Sequence, residues 1–310
     1  MKVVKGFGLF LAFLLSIVFF VLLSVFSIVF FVRNVTTKEQ MTKYIESADV
    51  YNVKSSDVFG TGDTTLEEAI KEELKKNNLT TTIVDEIIEK KSFTNLLGDY
   101  SYRYVNYIVK DAAKPILTRN DLLQVVNIPT LEYHFGRSLT DKEKEYFDKT
   151  IDDIILSLNE KIIDRNEFMT ENIDEVIGYI YHEDLKTYFV VGIIITLVLL
   201  FILTFSFYKP LLFLSLPTVI LGMILSIISI VLKVIINFVI KANGTVEHII
   251  KNVFNEVTFD ILKMGLIYVV IGIVLYIIYK ILKKILYKEK DVYLDIEDNV
   301  NPLMKEKVLR

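Results

Sequence analysis

Four long runs without a charged residue constrain this chain more than any other feature. They cover residues 6–32, 187–208, 210–232 and 264–279 and contain 27, 22, 23 and 16 residues. A helix crosses the ~30 Å hydrocarbon core of a bilayer with about 20 residues. The fourth run reaches this length as 261–282, because Lys263 and Lys280 near its ends can extend towards the headgroups. We therefore predict one transmembrane helix for each run.

Charged residues are segregated from these runs. The chain is 52% hydrophobic and still 24% charged, and both values fit one protein only if the two kinds of residue are kept apart. Residues 33–186 hold 20 basic and 30 acidic residues, which gives this insert a net charge of −10. The insert has the size of a domain. Without a basic face on the chain, we expect no nucleic acid among its partners.

The insert has helical periodicity. A T-x-x-E capping box at Thr140 and Glu143 precedes a stretch whose apolar residues recur on one helix face. These residues are Phe147, Ile151, Ile154, Ile155, Leu158 and Ile162. Shorter patterns follow Thr64 and Thr80, and alternating strand patterns are weak throughout. The predicted fold class is therefore all-α: a four-helix transmembrane protein with a large all-helical extracytoplasmic domain, residues 33–186, between the first and second transmembrane helices.

The first run begins like a secretory signal peptide, with two lysines among its first five residues. Its apolar stretch is about twice the usual length of such a signal, and the sequence F-F-V-R-N offers no small-x-small cleavage site. We interpret residues 6–32 as a signal anchor that stays in the protein.

The density of lysines gives the predicted orientation. Eight basic residues would lie on one side of the membrane in short flanks, and seven on the other side among many acids. The eight are Lys2, Lys5, Lys209, Lys280, Lys283, Lys284, Lys288 and Lys290. The positive-inside rule then places residues 1–5, the turn at Lys209-Pro210 and the basic then acidic tail at 283–310 in the cytoplasm. The insert and a second outer loop, 233–260, would lie outside the cell membrane.

The segment before the second span has two interpretations. Apolar residues from Ile173 to Tyr181 form a helical stripe, and no proline interrupts the sequence from Thr170 to Tyr208. A single helix over that range would be about 58 Å long and would couple the insert to the membrane. Alternatively, the helix ends with the domain and breaks near Glu183 and Asp184.

The loop at 233–260 contains an amphipathic pattern over 245–257. Its apolar positions are Val246, Ile249, Ile250, Val253, Phe254 and Val257, and they lie opposite Glu247, Lys251, Asn252 and Glu256. Such a helix either lies in the headgroups or docks against the outer domain.

No catalytic motif emerges. His134, His182 and His248 are too far apart for a local metal motif, and His182-Glu183 lacks the second histidine of a zinc-protease helix. Gly60-Thr61-Gly62 lacks the flanking elements of a nucleotide loop and is typical of a turn. We expect a non-enzymatic protein without a cofactor or metal.

The spans contain small residues rather than deep charges. Gly222, Gly265 and Gly272 favour close helix packing, and Pro217 favours a kink in the third span. A kinked, serine-lined helix bordering a narrow path is the alternative interpretation.

Two groups of residues are candidates for contacts with partners. Lys280, Lys283, Lys284, Lys288 and Lys290 would meet anionic lipid at the cytoplasmic face. Tyr102 and Arg103, in the densest aromatic cluster, would contact a ligand or protein, although packing is the more ordinary role for these tyrosines, since half of them lie on the predicted core stripe. The bilayer, an unknown protein partner and a second copy of the chain are the expected partners.

These features favour a sensor, scaffold or assembly protein whose outer domain binds an envelope partner or ligand. The order of one span, a large outer domain and three further spans is also similar to that of mechanotransmission transporters of the cell-division permease and macrolide-efflux type. That resemblance implies a permease-like subunit of a transport complex. It covers topology alone, and the short turn at Lys209 leaves little cytoplasmic loop to meet an ATPase.

Overall fold

The computed structural model describes residues 2–52, 54, 64–76, 80–110, 112–160, 162, 164–204, 206–240 and 245–307. Within these ranges, side chains are described except those of 2–6, 66, 168, 171–172, 245–248 and 287–307. The protein is 85% helical, with no strand in the part described, so the all-α class is confirmed. The predicted turn at Gly60-Thr61-Gly62 lies outside these residues.

The helices of the first half of the chain are α1 (Lys2–Val35), α2 (Lys38–Ser47), α3 (Leu66–Lys76), α4 (Thr82–Glu89), α5 (Ser92–Lys110), α6 (Arg119–Leu123) and α7 (Ile128–Phe135). Those of the second half are α8 (Asp141–Glu160), α9 (Arg165–Phe168), α10 (Glu171–Tyr181), α11 (Leu185–Thr204), α12 (Lys209–Val239) and α13 (Thr245–Lys307). A short 3-10 turn covers Val50–Asn52.

Four of these helices are long and apolar enough to cross a membrane. The candidate spans are Phe7–Val35, Leu185–Thr204, Lys209–Val239 and Ile249–Leu286. Only 11–17% of the residues in their most apolar windows are buried inside the protein. Side chains this apolar and this exposed are consistent with a lipid environment.

The chain divides into two compact units. The membrane unit comprises Met1–Ile28, Lys186–Ser229 and Ile261–Arg310, and the insert unit comprises Val29–Leu185 and Ile230–Asp260. The core of the membrane unit is formed by Ala12, Phe19, Leu200 and Leu214.

Glycines bring the helices of the membrane unit into backbone contact, as the sequence indicated. A Cβ atom added at Gly222 would lie 2.6 Å from the carbonyl oxygen of Gly265, and one at Gly272 would lie 2.9 Å from the backbone nitrogen of Val219. Helices α12 and α13 therefore pack closer than any larger residue would permit.

Pro217 lies inside α12 and has no N–H group to donate to the carbonyl of Phe213, four residues earlier. The hydroxyl of Ser16, from α1, donates a hydrogen bond of 2.8 Å to this carbonyl. An unpaired carbonyl would be costly in the hydrocarbon region. Ser16 thus supplies the donor that Pro217 removes.

Local capping signals set helix starts in the insert unit. The backbone nitrogen of Thr140 donates to Glu143 at 2.8 Å, and that of Glu143 donates to the Thr140 hydroxyl at 3.4 Å. The predicted capping box is confirmed, and α8 begins at Asp141. Its apolar face is only partly covered, because Ile151 is buried whereas Ile154 and Leu158 are exposed.

The continuous helix from Thr170 to Tyr208 is wrong. Helix α10 ends at Tyr181, His182 adopts a non-helical backbone conformation, and α11 begins at Leu185. The alternative, a break near Glu183 and Asp184, is confirmed. Apolar periodicity fits a continuous helix and a broken helix equally well. The three residues of the break, 182–184, belong neither to the apolar stripe of α10 nor to the apolar run of α11.

Candidate functional site

The guanidinium group of Arg103 is engaged in contacts within the insert unit. Its guanidinium lies 3.0 Å from an oxygen of Asp99 and 3.3 Å from one of Asp121, and it donates to the carbonyl of Ile116 at 3.1 Å. These contacts join α5 to the segment that leads into α6. Arg103 therefore has an internal role, and Tyr102, partly exposed on the same helix, stays a predicted contact residue.

Two lysines near the end of the fourth span, Lys280 and Lys283, lie beside tyrosine rings. The ammonium group of Lys280 is 5.5 Å from the ring centre of Tyr276, and that of Lys283 is 5.9 Å from that of Tyr279. The Tyr279 ring in turn lies 5.9 Å from that of Tyr208. Lys284 is exposed, while the side chains of Lys288 and Lys290 lie outside the described residues. Tyrosine and lysine together are typical of a membrane-water interface.

The two histidines whose side chains are described, His134 and His182, belong to no metal-binding group. His134 is packed between the Thr82 hydroxyl, 2.8 Å away, and the Glu86 carboxylate, so it joins α4 to α7. His182 is exposed, and the side chain of His248 is not among those described. Among the described residues, no group of three or more His, Cys, Asp or Glu side chains could hold a metal ion.

A polar cluster joins the end of α1 to the end of α10. Arg33 donates to the backbone carbonyl of Ile180 at 2.7 Å and to that of His182 at 2.6 Å. The phenol of Tyr181 lies 2.6 Å from the hydroxyl of Thr36. We call these residues the Arg33 clamp. A basic side chain on the last carbonyls of α10 satisfies acceptors that helix ends leave free.

A second cluster holds the first part of α13 against α2. Lys43 reaches oxygens of Asp260 at 3.2 Å and Glu256 at 3.4 Å, and the phenol of Tyr44 donates to Asp260 at 3.0 Å. Tyr44 is 3% exposed. Burial raises the pKa of this phenol, and the charges of Asp260 and Glu256 raise it further, so it remains a donor. We call these four residues the Asp260 anchor.

The anchor decides between the two interpretations of the amphipathic segment. Helix α13 contacts α2 of the insert through the carboxylates of Glu256 and Asp260. Ile250 and Phe254, from its apolar stripe, are exposed. Docking against the insert is therefore confirmed at Glu256 and Asp260. On the helix these two residues share a face with Ile249 and Val253, which are partly buried, so the docked face includes part of the apolar stripe.

Sequence reasoning missed both clusters. Arg33 contacts a carbonyl 147 residues away and Lys43 a carboxylate 217 residues away, and neither pairing follows a local spacing. One signal was available for Arg33: a single arginine directly after an apolar span can cap only something that lies beside the end of that span.

No protein-family model matches this chain, and neither a curated protein nor a solved structure is significantly similar to it.

Proposed function

We propose that this chain is a non-enzymatic, multi-pass protein of the cell membrane whose insert binds an envelope partner or ligand and transmits binding to the membrane helices. Both termini lie in the cytoplasm and residues 33–186 lie outside. The lysine-dense ends of the chain support this orientation, because short basic flanks are retained on the cytoplasmic side.

Helix α13 carries the proposed transmission. It runs without a break through 63 residues, which corresponds to about 95 Å. Its first turns are bound to α2 by the Asp260 anchor, and Lys280, Lys283 and Lys284 lie in its later turns. A movement of α2 therefore has a continuous helical path to the segment that is expected to contact anionic lipid. The unbroken course of α13 is the observation that carries this proposal, and α13 takes the coupling role that the sequence had suggested for a helix from Thr170 to Tyr208.

The orientation is tested by single cysteines, since the natural chain has none. Tyr133 in the insert and Phe207 in the turn before α12 are 81% and 86% exposed. We expect an impermeant maleimide to label Tyr133→Cys in intact cells, and Phe207→Cys only after permeabilisation. The reverse pattern would invert the protein and refute the proposal.

The partner is tested by photo-crosslinking in living cells from an amino acid analogue placed at Tyr133 or Tyr146, which are both exposed. An envelope protein crosslinked from these positions supports the binding function. A stable complex with an ATPase, recovered with the purified chain, would instead support the permease-like subunit. If the analogue is incorporated at Tyr133 and at Tyr146 and no envelope protein is crosslinked from either position, an envelope-binding role for these surfaces is contradicted.

A further inference from the structure

A cleft opens in the insert unit between the end of α5 and the end of α10. Its volume is about 620 Å³, which lies within the ~300–1,000 Å³ typical of small-molecule sites. Gly178, in α10, lines it, and a Cβ atom added there would meet no atom within 4 Å. A glycine at this helical position leaves room that any side chain would fill.

The cleft offers charges of both signs. Arg165 and Asp174 form an ion pair on its wall, and Arg165 also donates to the Ile108 carbonyl at 2.9 Å. Lys110, in contrast, lies over the Tyr181 ring at 5.1 Å and has no carboxylate partner among the described side chains. One ammonium group thus remains for a ligand.

Two carboxylates lie at the other end. Glu183 and Asp184 are exposed cleft residues without a basic partner in the described part of the chain. They directly precede Leu185, the first residue of the second span. The chain itself therefore keeps this end of the cleft at the bilayer surface.

We propose that the cleft binds the zwitterionic headgroup of a phosphatidylethanolamine-type phospholipid. Lys110 pairs with the phosphate, and Glu183 and Asp184 accept hydrogen bonds from the primary ammonium group. Charge-assisted hydrogen bonds of this kind are the stronger ones in proteins.

Three other ligands fit the cleft less well. An anionic phospholipid would bring negative charge next to two unpaired carboxylates. A phosphatidylcholine headgroup has no N–H group to donate to them. A metal ion finds no group of three suitable side chains among the described residues. The proposal requires only that the second span crosses a bilayer, and it does not depend on which side the insert lies.

The test measures which lipids the purified full chain retains. The protein in detergent is given equal amounts of phosphatidylethanolamine, phosphatidylglycerol and phosphatidylcholine, and bound lipids are counted by native mass spectrometry. The variants are Gly178→Leu, which fills the cleft, and Lys110→Met, which removes the ammonium group. Lys114→Met is the matched control, because Lys114 is exposed and does not line the cleft.

The lipid bound in the cleft is the fraction of the retained lipid that Gly178→Leu loses. In this fraction we expect about ten times more phosphatidylethanolamine than either of the other two lipids, because one or two charge-assisted hydrogen bonds supply a difference of that size. Lys110→Met should reduce the same fraction about tenfold, and Lys114→Met should leave it unchanged. Counting only this fraction excludes anionic lipid held by the lysines of α13.

Equal retention by Gly178→Leu and the natural chain, or no preference between the three lipids in the cleft-dependent fraction, would overturn the proposal. Soluble phosphoethanolamine distinguishes the source of the headgroup. Displacement of the bound lipid only at a large molar excess supports a membrane lipid, whereas displacement at equal concentration would assign the cleft to a soluble zwitterion instead.

Discussion

Two glycines in helices of the insert unit have opposite surroundings. A Cβ atom at Gly98, in α5, would lie 2.6 Å from the Cα atom of Thr42 in α2, whereas Gly178 faces open space. The first glycine is required by the packing of two helices, and the second is not.

We expect Gly98→Ala to lower the free energy of unfolding by about 1–3 kcal/mol, since a backbone atom must move to admit the methyl group. Gly178→Ala should raise it by about 0.5–1 kcal/mol, because alanine loses less conformational freedom in a helix. Thermal unfolding of the two variants in the same detergent measures both signs. Equal effects would mean that α2 and α5 are not in this contact.

Glu143 is another residue whose role depends on a small set of partners. Hydrogen bonds from Arg137, and then from the backbone and side chain of Thr140, hold the pKa of its carboxyl far below the usual range. A depressed pKa in the folded state stabilises at neutral pH, and this contribution disappears as the carboxylate is protonated in acid.

For Glu143→Gln we therefore expect a lower melting temperature than that of the natural chain at pH 7, and a difference that shrinks as the pH falls below 4. Glu145→Gln is the control, because Glu145 lies on the same helix and has no ion-pair partner among the described side chains. A difference that stayed constant between pH 7 and pH 3 would show that the ionised carboxylate is not responsible.

At the scale of helices, the contact between Ser16 and the Phe213 carbonyl explains how α12 keeps a proline within a membrane span. Replacing Ser16 by alanine leaves this partly buried carbonyl without its side-chain donor, at a cost of about 1–3 kcal/mol. Replacing Pro217 by alanine restores an N–H group that can bond the same carbonyl within α12.

We expect Ser16→Ala to destabilise the natural chain and to have little effect in a Pro217→Ala background. A double-mutant cycle of melting temperatures or denaturant midpoints measures the coupling directly. Additive effects would contradict the assignment of Ser16 as the donor.

Some helices and contacts could be predicted from the sequence, and others could not. The four spans and the Thr140 capping box follow from runs and spacings of a few residues, which local physics decides. The break at His182 and the orientation of the segment around Asp260 depend on partners more than a hundred residues away. The contact of Ser16 was accessible in principle, because Pro217 frees a carbonyl at a known position.

The whole molecule contains two places where a flexible insertion tests mechanical continuity. One lies at Glu183, where the helix already ends, and the other follows Asp260, inside α13. A spin label on Leu286→Cys, near the end of the fourth candidate span, reports on the far part of α13.

We expect Asp260→Asn, which weakens the anchor to Lys43 and Tyr44, to change the mobility of this label. A Gly-Ser-Gly-Ser insertion after Asp260 should abolish that change, because it interrupts the only helix that contains both residues. The same insertion after Glu183 should preserve it. If the two insertions behaved alike, α13 would not be the path of transmission.

The Arg33 clamp has a consequence for how this protein matures during translation. Arg33 leaves the ribosome early, but the carbonyls that it binds follow 147 and 149 residues later. Until then the contacts between the end of α1 and the end of α10 cannot form. The contact between Lys43 and Asp260 forms later still, because Asp260 lies 217 residues beyond Lys43. Chaperones and proteases that meet this chain during synthesis therefore encounter an open form that the finished protein no longer presents.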